Sequence, residues 1–485
     1  MKDFERSYDK MKKAYDKKKY EKALQLLSRM WEENGIPAQK EWMCHNAAGL
    51  SYFFLGDMKR SLPHLKAAWE NPGDADPATL RRIYSNYLMY LHYLPAVTDE
   101  ELAKAHFHYA DFFSDVTRYT HRKREKEKLR IGYISPDIVD HVVLNFSIQL
   151  FACYDRKRYE VILYSTGKRT NEVTDWVASM VDGFRDFSGL PAEDVAKRIY
   201  EDEVDILVDL SGHCEGGFTL EAAAYKPAPV QICGIGYFDT TGLSDFDYFL
   251  SDVYCDPAEN DRLFSEKLLR LPHSHLCFTP SERFRDFERS YQVHNPIVFG
   301  SFNNFAKITD EMLLAWKEIL GRVSGSRLLL KNVIPSKGPM ERMKKRAISL
   351  GFQECQLDLR PATPDYLKDY MDVDIVLDTH PYPGGGTTCE ALYMGVPVVN
   401  LRGTRHGARF GYSLLKNMGL EELSASSLAE YIDLAVGLAE DKETLEALHA
   451  SLREMMKKSP VMNARQYACE VEQAYEMAWQ EWMKS

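Results

Sequence analysis

DVDIVLDTHPYPGGGTTCEALYMGVPVVNL, Asp372–Leu401, is the stretch that decides the fold. Its first part, DVDIVLDT, is apolar and β-branched, the pattern of a strand buried on both faces of a parallel sheet. TTCEALYMG, Thr387–Gly395, is built of helix formers and closes on a glycine suited to a helix C-cap. VPVVNL reads as the next buried strand. The glycines therefore lie in a strand-to-helix loop at the carboxyl end of a strand, where open α/β sheets hold ligands. Glycine lets a ligand approach the main chain, and amides at a helix N-terminus suit phosphate. The spacing matches neither G-x-G-x-x-G nor G-x-x-x-x-G-K-[ST]. Taken alone, the stretch also fits a loop that only turns the chain.

Working outward, the same strand and helix alternation fills the second half of the chain. PIVFGSFN, SRLLLKN, CQLDLR, VDIVLDT and VPVVNL are strand-like, with TDEMLLAWKEILGRV and GPMERMKKRAISLG as helices between them. An earlier series has the same character: LRIGYIS, YEVILYST, VDILVDLSG and APVQICGIGY, with LPAEDVAKRIYED among the helices. Two doubly wound halves in one chain leave a cleft between them. Residues 1–120 instead are helical and nearly free of glycine. AYDKKKYEKALQLLSRMWE and AAGLSYFFLGDMKRSLPHLKAAWE resemble each other at an offset of about 38 residues. RRIYSNYLMYLHYL and DEELAKAHFHYADFF suggest another helical pair. Helix–turn–helix units of this kind fit a short tetratricopeptide-like solenoid, whose common use is binding a peptide or partner. The expected organisation is α/β with two Rossmann-like domains behind an all-α region. The divisions are 1–125 (helical), 126–292 (first α/β half), 293–455 (second α/β half) and 456–485 (a long amphipathic helix).

Composition narrows the function class. The chain has 485 residues and a net charge of −11, so its overall balance argues against nucleic acid as a partner. Nine cysteines are scattered singly with no C-x-x-C pair, which points to neither a zinc site nor a disulfide framework. HRKREKEK, His121–Lys128, is a mixed-charge boundary rather than a basic patch. No run approaches the ~18 apolar residues of a membrane span, and the N-terminus has no signal-type apolar core. The expected setting is cytoplasmic.

Five motifs follow one another in order: GYISPDIVDH, DILVDLSGH, KPAPVQICGIGYFDTTGLSDFDYFLSD, FGSFNNFAKI and LDTHPYPGGGTTCEALYMGVPVV. Together they resemble the O-GlcNAc transferase/SPINDLY family over roughly residues 75–480. The resemblance implies the GT-B fold and transfer of a sugar from a nucleotide sugar to Ser or Thr of proteins. It also implies inversion at the anomeric carbon and no metal or other cofactor.

That chemistry needs positive charge where the nucleoside diphosphate departs. Gly384, Gly385 and Gly386 bare the backbone, and Thr387 and Thr388 supply hydroxyls. The resemblance puts Lys307 where the family's diphosphate-binding lysine lies and Glu390 where an acid holds the ribose hydroxyls. Asn303 and Asn304 are expected to shape the loop beneath them. Tyr366 falls where the animal enzyme has a histidine against the base, and Arg405, His406 and Arg409 form a basic loop within reach of phosphate. His141 matches a family histidine near sugar and acceptor, acting either as general base or by orienting the substrate, with Asp137 beside it. His213 follows a strand at its carboxyl end, and Tyr237, Thr240, Thr241 and Gly242 are expected to line the sugar or acceptor pocket. UDP-GlcNAc is the foremost donor and a protein or peptide the acceptor. The alternatives are GDP-fucose or another nucleotide sugar, an Asn or glycan acceptor, and an inactive helical-repeat adaptor. The helical N-terminus is also a candidate surface for a homo-oligomer or other partner.

Overall fold

The computed structural model describes residues 2–485 except 34, 169, 170, 286, 290 and 334–336. It divides into two compact units. One is Met1–Val97, Phe287–Gly403 and Glu422–Arg453; the other is Thr98–Asp286, Thr404–Glu421 and Glu454–Ser485.

The second of these units holds a seven-stranded sheet: β1 (Leu129–Ser135), β2 (Tyr159–Ser165), β3 (Gly183–Asp186), β4 (Ile206–Asp209), β5 (Val230–Cys233), β6 (Tyr248–Asp252) and β7 (Lys267–Leu271). The order is β3-β2-β1-β4-β5-β6-β7 and every pairing is parallel. Near-continuous apolar strands make this possible, because helices cover both faces. The closing helix, Ala464–Lys484, belongs to this unit. Its Tyr475 hydroxyl meets that of Tyr133 at 3.2 Å, and Tyr467 donates to the His275 carbonyl at 2.9 Å.

The other unit carries β8 (Val298–Ser301), β9 (Arg327–Lys331), β10 (Leu357–Arg360), β11 (Ile375–Leu377), β12 (Val398–Leu401) and β13 (Ser424–Ala425). These also pair parallel, in the order β10-β9-β8-β11-β12-β13. Both sheets thus share the doubly wound order 3-2-1-4-5-6, the first with β7 added at its edge, and the direction of winding reverses between β1 and β4 and between β8 and β11. Loops after those strands face the ligand crevice of such a fold.

The same unit begins with helices Lys2–Asp16, Tyr20–Glu32, Glu41–Phe54, Met58–Glu70 and Pro77–Leu91, so the helical reading of this region holds. The pair Glu41–Phe54 and Met58–Glu70 packs through Gly49. A side chain there would meet Leu65 at 2.6 Å, and Ser61 Oγ donates to the Gly49 carbonyl at 2.8 Å. No helix among the described residues is long and apolar enough to cross a membrane.

Candidate active site

The glycine loop takes the place expected for it. Helix Gly386–Met394 starts directly after it and ends at Gly395, which is left-handed at φ +82°. Gly385 caps the amino end and, lacking a side chain, satisfies none of the first-turn amides. Its φ is −102°, so this loop does not need glycine for a left-handed backbone. Space is the reason at Gly384, where a Cβ would lie 2.3 Å from Thr387 Oγ1 and 2.8 Å from Thr388 Oγ1.

Asp378, at the end of β11, organises the loop. Its Oδ1 accepts from the amides of Thr379 (2.9 Å) and Gly384 (2.8 Å) and from Asn303 Nδ2 (3.2 Å), and its Oδ2 accepts from Asn400 Nδ2 (3.0 Å). Burial raises its pKa against these donors and against Lys307. Asn303 in turn accepts from Thr387 Oγ1 at 3.1 Å. Thr388 is buried and its hydroxyl donates to the Gly384 carbonyl at 2.9 Å, which leaves Thr387 as the accessible hydroxyl of the pair. No local signal in the sequence marks Asp378 as this hub.

Lys307 ends a short 3-10 turn after β8 that Asn304 caps, its Oδ1 accepting from the Ala306 amide at 3.0 Å. The half-buried ammonium donates to the Pro383 carbonyl at 2.9 Å and lies 3.7 Å from the centre of the Tyr382 ring. Burial lowers its pKa to about 8, with Asp378 pulling the other way. Glu390 lies on the helix that follows the glycines. Its two oxygens accept from the hydroxyls of Tyr366 (2.8 Å) and Tyr370 (3.2 Å), and Tyr370 stacks on Phe302 with centroids 4.0 Å apart. Asn303, Asn304, Lys307, Tyr366, Gly384, Gly385, Gly386, Thr387, Thr388 and Glu390 thus all belong to one unit, and most flank its switch point.

Asp137, His141, His213 and Arg409 belong to the other unit. His141 follows β1 and caps helix Val142–Ala152, its Nδ1 accepting from the Val143 amide at 3.4 Å; the same nitrogen is 3.5 Å from Asp137 Oδ2. One nitrogen cannot accept from the amide and donate to the carboxylate at once, so the two contacts belong to different tautomers or charge states. The imidazole is 43% exposed.

His213, by contrast, is fully buried. Its Nε2 meets the Thr241 carbonyl at 2.9 Å, and its ring packs on Tyr109, Tyr237 and His106. Burial and the neighbouring His106 hold its pKa well below the usual histidine value. Thr240 and Thr241 are likewise engaged: Thr240 Oγ1 donates to Glu266 Oε2 at 2.6 Å and the Thr241 amide to Glu266 Oε1 at 2.7 Å. Gly242, at φ +73°, lies so close to the His106 carbonyl that a Cβ would be 1.9 Å from it. In the basic loop, His406 is buried against Asp256 at 2.6 Å, Arg405 is buried near Asp99 at 3.6 Å, and Arg409 donates to the Tyr254 carbonyl at 2.9 Å.

One cluster in that unit has metal-ligand types, Asp252, Cys255 and His275. Asp252 is committed elsewhere. Its oxygens accept from the Tyr254, Cys255 and His275 amides and from Ser413 Oγ, and Oδ2 meets His275 Nδ1.

A family comparison fits this geometry. The model for glycosyl transferase family 41 matches residues 112–295 and 288–471. The chain belongs to glycosyl transferase family 41. A tomato (Solanum lycopersicum) protein named "Probable UDP-N-acetylglucosamine--peptide N-acetylglucosaminyltransferase SPINDLY" is 37% identical over 412 residues, covering 82% of this chain and 44% of the relative. The Arabidopsis thaliana protein of the corresponding name ending in SEC is 30% identical over 368 residues, covering 73% of this chain and 37% of the relative. The chain therefore spans less than half the length of these plant relatives. A solved mutant of the O-GlcNAc transferase of Thermobaculum terrenum superposes with a TM-score of 0.87 at 31% identity, covering 96% of this chain and 88% of that one. The kinship and the GT-B fold class expected from the sequence are both borne out.

Proposed function

We propose that this family 41 member is a protein glycosyltransferase that carries N-acetylglucosamine from UDP-N-acetylglucosamine to Ser or Thr with inversion, using no metal. The observation that carries this reading is the ammonium of Lys307 beside a glycine loop and an uncapped helix N-terminus, at the switch point of a doubly wound sheet.

In the reaction the acceptor oxygen bonds to the anomeric carbon as that carbon's bond to the β-phosphate oxygen breaks. UDP leaves with the bonding pair, and the acceptor's proton must go to a base. Charge grows on the diphosphate, where Lys307, the Thr387 hydroxyl and the amides opening helix Gly386–Met394 oppose it. Glu390, already fixed by Tyr366 and Tyr370, retains lone pairs for two ribose hydroxyls, and the Tyr366 ring is offered to the base. With Nδ1–H turned to Asp137, His141 presents Nε2 for the acceptor's proton; with Nδ1 capping its helix, it orients the acceptor instead.

Two features support a metal-free leaving-group site. The cation needed there is supplied by a side chain. The nearest Asp-x-Asp, Asp372 and Asp374, lies at the amino end of β11 rather than beside the glycines. Asp374 is moreover committed to the Tyr291 hydroxyl (2.5 Å) and to the amides of His294 (2.9 Å) and Val298 (2.6 Å).

Calorimetric titration with UDP and GDP, beside a peptide-glycosylation assay run with and without EDTA, tests the reading. UDP binding and transfer from UDP-N-acetylglucosamine that survives EDTA are expected. Binding of GDP alone would move the donor to a guanosine sugar, and transfer that stops with EDTA and returns with Mg²⁺ would remove the metal-free mechanism.

A further inference from the structure

Something must hold the Lys307 ammonium in place before a diphosphate arrives. A lysine has four rotatable bonds, and a free one would sample solvent. A carboxylate partner would hold it but would have to be displaced by the incoming phosphate. Asp378, whose charge acts on Lys307 through space, has its oxygens taken by Thr379, Gly384, Asn303 and Asn400. The groups that touch the ammonium are neutral: the Pro383 carbonyl at 2.9 Å and the face of Tyr382 at 3.7 Å. A cation on a π face and a carbonyl keeps its charge and can be handed to an anion without breaking an ion pair.

The Tyr382 ring is itself fixed by the helical region of the same unit. Tyr93 meets it edge to face, with centroids 5.0 Å apart and planes at 76°. Tyr93 is buried against Phe53 (5.4 Å, 84°), and Phe53 stacks on Tyr90 at 4.0 Å. The turn that bears Lys307 is touched from that region too: Gly56 lies against Phe305, where a Cβ would be 3.6 Å from the Phe305 Cβ.

We propose that Tyr382, held by Tyr93, is the positioning residue for the Lys307 ammonium, so that the helical region tunes the donor site through this aromatic contact. The inference rests on the donor-site reading of Lys307. Beyond Asp378, the charged groups around the turn include Asp310, Lys59 and Arg346, with Asp57, Arg60, Glu311, Arg342 and Lys345 lining the same cavity beside Phe305 and Ala306. Asp310 accepts from Lys59 at 2.6 Å and from Arg346 at 2.6 Å, so this trio keeps one net positive charge, which the tyrosine variants leave in place.

The experiment is calorimetric titration of UDP into the full chain from pH 7.5 to 10, above the terminal-phosphate pKa of about 6. A cation–π contact favours the protonated lysine, so losing the ring makes the ammonium give up its proton earlier. In the wild type the affinity is expected to start falling near pH 8, where Lys307 loses its proton. Tyr382→Phe keeps that onset. Tyr382→Leu moves it down by about half to one pH unit. Tyr93→Leu moves it the same way by less. Tyr382→Met replaces the leucine variant should that fail to fold. A Tyr382→Leu protein with a lowered melting temperature but the wild-type onset would show the ring to be packing only and overturn the proposal. An unchanged onset in Tyr93→Leu would remove the helical region from it. Lys307→Met separates the two levels, because a wild-type profile in that variant would sink the donor-site reading itself, whatever the tyrosine variants do.

Discussion

The two sheets are near copies in strand order, yet their switch points hold opposite chemistry. After β8 and β11 the chain presents a half-buried cation, an accessible threonine and an uncapped helix start, tied together by Asp378. After β1 and β4 the polar groups have mostly turned inward. His213 is buried and neutral, Asp209 is pushed up to about 6 by burial while accepting from the Ser211 and Gly212 amides, and His141 and its neighbour Asp140 reach solvent. Strand order locates a crevice; what may occupy it depends on which polar groups the fold leaves unspent.

Removing the cation breaks this contrast most severely. Lys307→Met should lower kcat by about 10²–10³-fold, or ~2.7–4 kcal/mol of barrier, and weaken UDP binding, with the melting temperature little changed. At the other switch point, His141→Ala should lower turnover and leave UDP affinity untouched. Steady-state transfer and calorimetry on both variants check this, and equal losses of UDP affinity would erase the proposed division of labour.

The glycines come next. Gly384→Val must push Thr387 off Asn303, so UDP affinity should fall about tenfold or more. Gly385→Val, at an ordinary negative φ, should leave the melting temperature near wild type, and any loss of UDP binding there reports a ligand approaching the backbone. Normal UDP affinity in both folded variants would reduce the loop to a turn.

The ease of reading each element follows from how local its cause is. LRIGYIS is β1 residue for residue, and Gly395 ends its helix as expected, because an apolar run and a C-cap are each specified by neighbours. β3, whose sequence is GFRD, has no apolar run because it is a half-exposed edge strand; β13 is two residues long. β6 and β7 also lie outside the runs taken for strands. Lys307, Glu390 and the glycine loop were accessible through motif resemblance. The roles of Asp378 and Tyr382 were not, since they arise from partners such as Asn303 and Tyr93 far away in the chain. Thr240 and Thr241 look like pocket residues until Glu266 is found to occupy them.

Protonation sharpens the contrast further. With Lys307 held near pH 8 in the free protein and returned toward the ordinary lysine value by a bound diphosphate, UDP binding should take up protons. The uptake should be about half a proton per UDP at pH 8 and smaller at pH 7, where the lysine is already charged. Titrations in buffers of different ionisation enthalpy measure it directly. Proton release, or no uptake at pH 8, would mean that another group receives the phosphates.

The smallest expected effects separate the adjacent threonines. Thr387 Oγ1 is accessible and donates to Asn303, itself bound to Asp378, so its single proton can be redirected to a phosphate oxygen. Thr388 Oγ1 is buried, and its proton goes to the Gly384 carbonyl four residues back, inside the loop. Valine keeps the shape of either side chain and removes only the hydroxyl. Thr387→Val should therefore weaken UDP by ~0.5–1.5 kcal/mol, a few-fold in affinity, with little change in melting temperature. Thr388→Val should do the reverse: a similar loss appears in stability, because a buried carbonyl is left without its donor, while the folded protein binds UDP nearly as before. Calorimetry and thermal unfolding on the two variants give four numbers whose pattern is diagnostic. Were Thr388→Val to lose UDP affinity more than Thr387→Val, the buried hydroxyl would have to turn toward the diphosphate on binding, and the loop would not be preformed.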